Sequence, residues 1–234
     1  MSRNMSADRA QTISPLGDDA LLVTFAHTIS WDVGVRVRAA ARRIRERFHA
    51  ANVEPVTDVV PAYTTLAVYF DSARISFDSV ASVVAQELDR ADAQRDAQRD
   101  AEQRDRSAAV EIPVCYDGPD LADVAERTGL SIDDVIERHC ARTYHAYMLG
   151  FVPGFAYLGD LDQSLVLPRR AVPRVRVPAG SVAIAGAQTA AYPLETAGGW
   201  HLIGTTSVAL FDPGRDPPGL IRAGDTVRFV RIAP

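Results

Sequence analysis

The chain has 234 residues, 47% of them hydrophobic and 24% charged, enough for one large domain or two small ones with a proper core. Its formal net charge of −5 excludes the broad basic surface that nucleic acid or an anionic membrane requires. It contains no lysine, which excludes a Schiff base, a lysine general base and a Walker A phosphate lysine. Every fixed positive charge is an arginine, able to bind or stabilise anions.

The opening stretch MSRNMSADRAQTIS is polar and predicts no signal peptide. No apolar run reaches the ~18–20 residues of a membrane span. Cys115 and Cys140 then read as reduced thiols, with the cytoplasm as the expected compartment. ALLVTF (20–25) predicts a strand. WDVGVRVRAAARRIRERF (31–48) predicts a helix with Val33, Val37, Ala40, Ala41, Ile44 and Phe48 on one face and arginines on the other. VEPVTDVV and TLAVYF (65–70) predict two strands joined through PAYT, and SFDSVASVVAQEL (76–88) a second helix carrying Phe77, Val80, Val84 and Leu88. The order β-α-β-β-α over 15–88 predicts a ferredoxin-like α+β domain with both helices on one sheet face.

Composition then breaks. Residues 89–107 have no apolar side chain larger than Ala and nearly repeat Ala-Gln-Arg-Asp, so they predict a charged linker or insertion that nothing can bury. The second domain, 108–234, opens with the strand VEIPVCY (110–116). VAERTGLSIDDV (124–135) has the spacing of a DNA-binding helix-turn-helix. However, Asp133, Asp134 and Glu137 would face the phosphates, so it reads as two short helices with Asp120 and Ser131 as N-caps and Gly129 as a C-cap. From about 142 the chain is rich in Gly and Pro, with short apolar runs SVAIAG, WHLIGTT, SVALFD and DTVRFVRI. These predict an all-β barrel or sandwich.

Within it, LGFVPGFAY (149–157) and PRRAVPR (168–174) have the composition of a site wall. Gly150, Gly154 and Gly159 allow close backbone approach and Pro153 fixes the turn. Phe151, Phe155 and Tyr157 would form an apolar wall with one polar tip, and Arg169, Arg170 and Arg174 offer forked donors for a carboxylate or phosphate. His139, Cys140 and His145 match no zinc spacing, so no metal site is expected, and no GxSxG nucleophile elbow is present.

The runs GFVPGFAYLG, PRRAVPRVRVPAGSV, QTAAYP, GGWHLIGTTSVALFDP and RAGDTVRFV, with weaker matches at GDDALLVTF and PAYTTLAVYF, resemble the family of 5-oxoprolinase B-type subunits. This is also called allophanate hydrolase subunit 1 and includes an inhibitor of a sporulation histidine kinase. The resemblance implies a small α/β domain followed by a cyclophilin-like β-barrel. It implies one component of a cytoplasmic hetero-oligomeric hydrolase that opens 5-oxoproline to glutamate using ATP with Mg2+. The partners would be the C-type subunit, homologous to this chain, together with the A-type subunit. The chain alone would be inactive, the nucleotide would be shared with the partner, and a small anionic lactam would be the substrate. Carried onto this sequence, the substrate- or anion-binding positions are Arg169, Arg170, Arg174, His139, Tyr144, Phe151, Pro153, Gly154, Phe155, Tyr157, Gly180, Ser181, Gln188, Thr189, Tyr192, Gly198, Gly199 and Trp200. No residue is assigned to catalysis. The same resemblance leaves two other roles open, a binding module that inhibits a histidine kinase and a component of urea or allophanate metabolism. Ala183, Ala190 and Ala197 stand where relatives commonly have Gly, Gly and Pro, which calls the local turn geometry into question.

Overall fold

The computed structural model describes residues 11–50, 55–89 and 109–233, a mixed α/β chain with four helices among them. The chain divides into two compact units at Arg106/Ser107. The expected charged linker, apart from Asp89, lies outside the described residues.

The first unit is one antiparallel sheet with two helices. Its strands are β1 (Thr12–Pro15), β2 (Ala20–Thr24), β3 (Val56–Pro61) and β4 (Thr65–Phe70), in the order β1-β2-β4-β3. Helix α1 (Trp31–Ala50) joins β2 to β3, and α2 (Phe77–Asp89) follows β4. With β4 between them, β2 and β3 run parallel, a split β-α-β unit. Strand alternation turns Leu21, Val23, Val59, Leu66, Val68 and Phe70 to one face, where they meet Val37, Ala40, Ala41, Ile44, Phe48, Val80 and Val84 of the helices in one core. Strand β1 was not expected; TISP has no apolar alternation, and its pairing with β2 supplies what its sequence lacks. Helix α1 is also less one-sided than its pattern suggests. Arg38 and Arg43 are buried, Arg43 donating to Glu87 O at 3.3 Å and the Arg38 guanidinium lying 4.5 Å over the Trp31 ring.

The second unit is a nearly closed barrel. Its strands are β5 (Val110–Val114), β6 (Tyr144–Leu149), β7 (Ala156–Gly159), β9 (Ser181–Ala185), β10 (Gln188–Ala191), β12 (His201–Thr205) and β13 (Thr226–Arg231), in the order β12-β9-β10-β7-β6-β13-β5. The two edge strands are joined by a bridge at Cys115 and Thr205, whose backbone groups exchange hydrogen bonds of 2.9 and 2.8 Å. That closure removes the open edges that would otherwise invite aggregation. Strands β8 (Arg174–Val177) and β11 (Thr196–Gly198) form a separate two-stranded ribbon. The expected strand in SVALFD is absent. Pro213, Gly214 and Pro217 break it into an irregular excursion with one bridge, Phe211 to Gly219, while Leu210 still reaches the core.

Helices α3 (Leu121–Thr128) and α4 (Ile132–Cys140) pack together and against β12 and β13. Gly129, at φ +70°, caps α3, and Ser131 and Asp134 form a capping box at α4. Asp120 is not the expected side-chain cap; its carboxylate is engaged elsewhere.

Candidate functional site

Strand parity divides the barrel motifs between two faces. In β10, Thr189 and Ala191 face the barrel interior, while Gln188, Ala190 and Tyr192, just beyond the strand, alternate to the other side. In β9, Val182 and Ile184 face inward and Ala183 and Ala185 outward. The outward set packs with Phe155, Val177, Trp200 and Leu202 in a second, smaller core outside the barrel. A cavity of about 220 Å³ opens there, lined by Phe151, Phe155, Tyr157, Arg169, Pro173, Tyr192, Ala197, Gly198, Gly199 and Trp200.

Phe155 is the hub of the wall. Its ring makes edge-on contacts with Phe151 (5.5 Å), Tyr157 (4.9 Å), Tyr192 (5.2 Å) and Trp200 (5.8 Å), the arrangement favoured by the aromatic quadrupole. Gly198 has a steric reason: a Cβ there would lie 2.4 Å from the Tyr192 hydroxyl oxygen. Phe151 sits at φ +73° with 58% of its surface exposed. Backbone strain on the order of 1–3 kcal/mol thus holds an aromatic ring in water at the mouth of the cavity, a pattern of ligand-binding loops.

The polar groups are few. Burial raises the Tyr157 hydroxyl, with the Arg169 charge opposing it. Burial, and then Tyr157, push Tyr192 up to about 12 against Arg169 and Arg174. Both phenols are therefore neutral donors at physiological pH. Arg169 is exposed and has no side-chain hydrogen bond or ion pair among the described residues.

Arg170 and Arg174, the other two arginines expected to hold the anion, do not line the cavity. Both reach Asp120, which is 4% exposed. Arg170 Nη1 donates to Asp120 Oδ1 at 2.8 Å, and Arg174 Nη1 and Nη2 donate to Oδ2 and Oδ1 at 2.8 and 2.7 Å. The Leu202 N–H adds a fourth bond to Oδ2 at 2.7 Å. Burial alone would raise the Asp120 carboxyl; the hydrogen bonds from Arg174 and Leu202, with the Arg174 and Arg170 charges, outweigh it and hold it below the usual range.

His139, Tyr144 and Thr189 lie in the barrel interior. Thr189 Oγ1 donates to Ala183 O at 3.0 Å, so it accepts from His139 Nε2 at 2.8 Å. That leaves His139 Nδ1 to accept from the Tyr116 hydroxyl at 2.7 Å, which in turn accepts from Cys140 Sγ at 3.1 Å. Burial lowers His139 to about 3, so the ring is neutral. Tyr144 donates to His139 O at 2.8 Å. His145 is paired with Asp160 at 2.8 Å on strand β6. Among the described residues no three His, Cys, Asp or Glu side chains are grouped to hold a metal.

Pro153 and Gly154 form the β6–β7 turn behind Phe151, Gly180 and Ser181 lead into β9, and Gln188 begins β10; none lines the cavity. Ala183 and Ala190 face each other across β9 and β10 with negative φ, so the doubted turns are ordinary strand. Pro173 and Ala197 complete the lining. Their sequence signal was present, since each adjoins a predicted position. Asp120 gave none, because its arginines lie 50 and 54 residues further on.

Fold and site together define a β-barrel domain with a small aromatic cavity on its outer face and, among the described residues, one unpaired cation at the rim. A model of the carboxyltransferase domain, subdomain C and D, matches residues 11–221. The B-type subunit of 5-oxoprolinase from Bacillus subtilis is 42% identical over 94% of this chain and 92% of its own length. That of Escherichia coli O157:H7 is 58% identical over 53% of this chain and 58% of its own. The chain belongs to the family of 5-oxoprolinase B-type subunits, the allophanate hydrolase subunit 1 type. Among solved structures, TTHA0988 aligns at 38% identity with a TM-score of 0.75, covering 92% of this chain. The present chain spans 40% of that longer protein. The Kluyveromyces lactis urea amidolyase, at 14% identity and a TM-score of 0.71, shares the fold.

Proposed function

We propose that this chain is the B-type subunit of an ATP-dependent 5-oxoprolinase and that the aromatic cavity receives the lactam. The carrying observation is the cavity itself, an aromatic-lined space with one guanidinium, Arg169, that is unpaired among the described residues at its rim. A five-membered lactam offers a carboxylate to Arg169 and a carbonyl to the neutral phenols of Tyr157 and Tyr192, while its ring methylenes meet Phe151, Phe155 and Trp200. A cavity of about 220 Å³ accepts a small ring acid. In this reading the nucleotide with Mg2+ lies outside it, in a cytoplasmic complex with the C-type and A-type subunits. The chain alone then binds substrate without turnover, and the domains are 15–88, extended back to Thr12 by β1, and 108–234; the first is a ferredoxin-like variant with β1 as one edge strand.

The names of the curated relatives support the reading, and so does the absence of a nucleophile elbow from the sequence. The test is twofold. With Trp31 replaced by Phe, Trp200 is the sole tryptophan, and its emission should change on titration with 5-oxoproline. Co-expression with homologues of the C-type and A-type subunits should give 5-oxoproline-dependent ATP hydrolysis that the single chain lacks. Turnover by the single chain, or no activity in the full complex, would overturn the proposal.

A further inference from the structure

The segment 168–174 carries three arginines and presents one of them, Arg169, to the cavity. The cause is Asp120, which lies at the start of α3, far from the cavity in sequence. Its position is fixed twice over. Asp120 N donates to Leu202 O at 3.0 Å, and Gly118 is pressed so close to β12 that a Cβ would sit 2.4 Å from Ile203 C. From that anchored backbone the buried carboxylate takes both guanidinium groups and the Leu202 N–H. One residue beyond Arg169, Arg170 N donates to Gly199 O at 2.8 Å. The segment 168–174 is thereby tied to 199–202, and these two stretches supply Arg169, Pro173, Gly199 and Trp200 to the cavity.

Resting on the substrate reading above, we infer that Asp120 is a specificity-determining positioning residue. It holds the Arg169–Pro173 wall against the Gly199–Trp200 wall and withdraws Arg170 and Arg174 from the ligand. The cavity then offers one free guanidinium and selects a monoanion. The triplet of two arginines and one carboxylate keeps a net charge of +1, which attracts anions without offering a second free fork. A dicarboxylate would bring a second carboxylate that the one free fork leaves unpaired, since the other two guanidinium groups are held by Asp120.

Asp120→Asn is the direct test. One carboxylate oxygen becomes an NH2 group that must face a guanidinium, so the clamp opens. In the Trp31→Phe background, with Trp200 as reporter, the parent should bind 5-oxoproline at least tenfold more tightly than either neutral 2-pyrrolidinone or the dianion glutarate. Arg169→Gln should remove the preference for 5-oxoproline over pyrrolidinone. Asp120→Asn should weaken 5-oxoproline tenfold or more and bring the 5-oxoproline-to-glutarate ratio close to one. A loss of fold alone would not shift that ratio. Independently of any ligand, hydrogen exchange in Asp120→Asn should rise at the Arg170 and Leu202 amides, while amides of the β5–β13 pair stay protected. An unchanged ratio, or unchanged exchange at those two amides, overturns the inference. If the parent binds no 5-oxoproline at all, the substrate reading and the selectivity fall together, and the exchange arm still decides the positioning role.

Discussion

The two units solve the same packing problem with different materials. The first is built from regular elements with amphipathic faces, and its only described positive-φ residue is Gly17. The barrel places Phe151 and Asp160, both non-glycine, at φ +73° and buries Asp120, His139, Ser181, Thr189, His201 and Thr206. Irregular backbone and buried polar groups carry a free-energy cost that helices and strands avoid. The described left-handed backbone is concentrated in the unit that holds the cavity, whereas the first unit buries Arg38, Arg43 and Glu87 on regular elements. The lesson is that regular helices can carry buried charge, while the walls of the cavity rest on irregular backbone.

The largest loss is expected from Gly180→Ala. Gly180 has φ +82°, and a Cβ would stand 2.3 Å from the backbone oxygen of Thr206. That oxygen cannot swing aside, because Gly180 and Thr206 are linked through Thr206 N to Gly180 O at 2.8 Å. A loss of more than about 3 kcal/mol in denaturant unfolding is expected, combining a left-handed penalty with a backbone clash. A cost below about 1 kcal/mol would show that the barrel is more pliant than its buried contacts imply.

Next comes the buried relay. His139→Phe keeps an aromatic beside Phe229, whose ring centroid is 4.6 Å away, yet leaves the Tyr116 and Thr189 hydroxyls each one partner short. A loss of about 2–3 kcal/mol follows. Its pH dependence has a definite sign. The native ring takes a proton only near pH 3, whereas the unfolded one does so near 6.5, so the unfolded chain binds more protons between those values. This stabilisation is complete above about pH 6.5 and is lost as pH falls toward 3, at up to roughly 1.4 kcal/mol per unit. His139→Phe should flatten that slope in urea melts run from pH 7 to pH 4.5. A parallel slope in both proteins would show that His139 is not the group titrating in that range; Asp162, which Ser164 first and Arg142 after it hold at about 2, loses its stabilising contribution only below about pH 4.

How far the sequence revealed all this follows the same divide. The inward face of α1 and the strands β2 and β4 were legible, because periodicity reports one-sided burial directly. Strand β1 was not, since pairing alone makes TISP a strand. In the barrel the motifs marked the right neighbourhood, but they could not separate Thr189 from Tyr192. Both lie in QTAAY, and only parity within a known sheet sends one to the relay and the other to the cavity. The arginines misled for a related reason: PRRAVPR announces anion binding, and the anion that holds two of the three is Asp120, from another part of the chain.

A smaller effect should come from Phe151→Gly. Removing the side chain relieves a left-handed residue that costs of order 1 kcal/mol or more and exposes little that was buried. Stability should stay level or rise by about 1 kcal/mol, and under the proposed substrate reading 5-oxoproline binding should weaken because the outer aromatic wall is gone. A stability loss together with unchanged binding would mean that Phe151 serves the fold and that the strain has another origin.

The mildest of the destabilising changes, Gly17→Ala, calibrates the others. Gly17 has φ +67°, close to that of Gly180, but an added Cβ would meet nothing within 4 Å. Only the left-handed backbone penalty applies, roughly 1–2 kcal/mol, and the reduced freedom of the unfolded chain returns about half a kcal/mol of it. A net loss near 1 kcal/mol is therefore expected from urea unfolding of the whole chain, read by circular dichroism. Since the backbone term is nearly common to the two glycines, the difference between Gly180→Ala and Gly17→Ala isolates the clash with Thr206. If that difference is 2 kcal/mol or more, the barrel's intolerance comes from packing around a fixed carbonyl. If the two substitutions cost the same, left-handed strain alone accounts for both, and the contrast between the units reduces to how many such residues each contains.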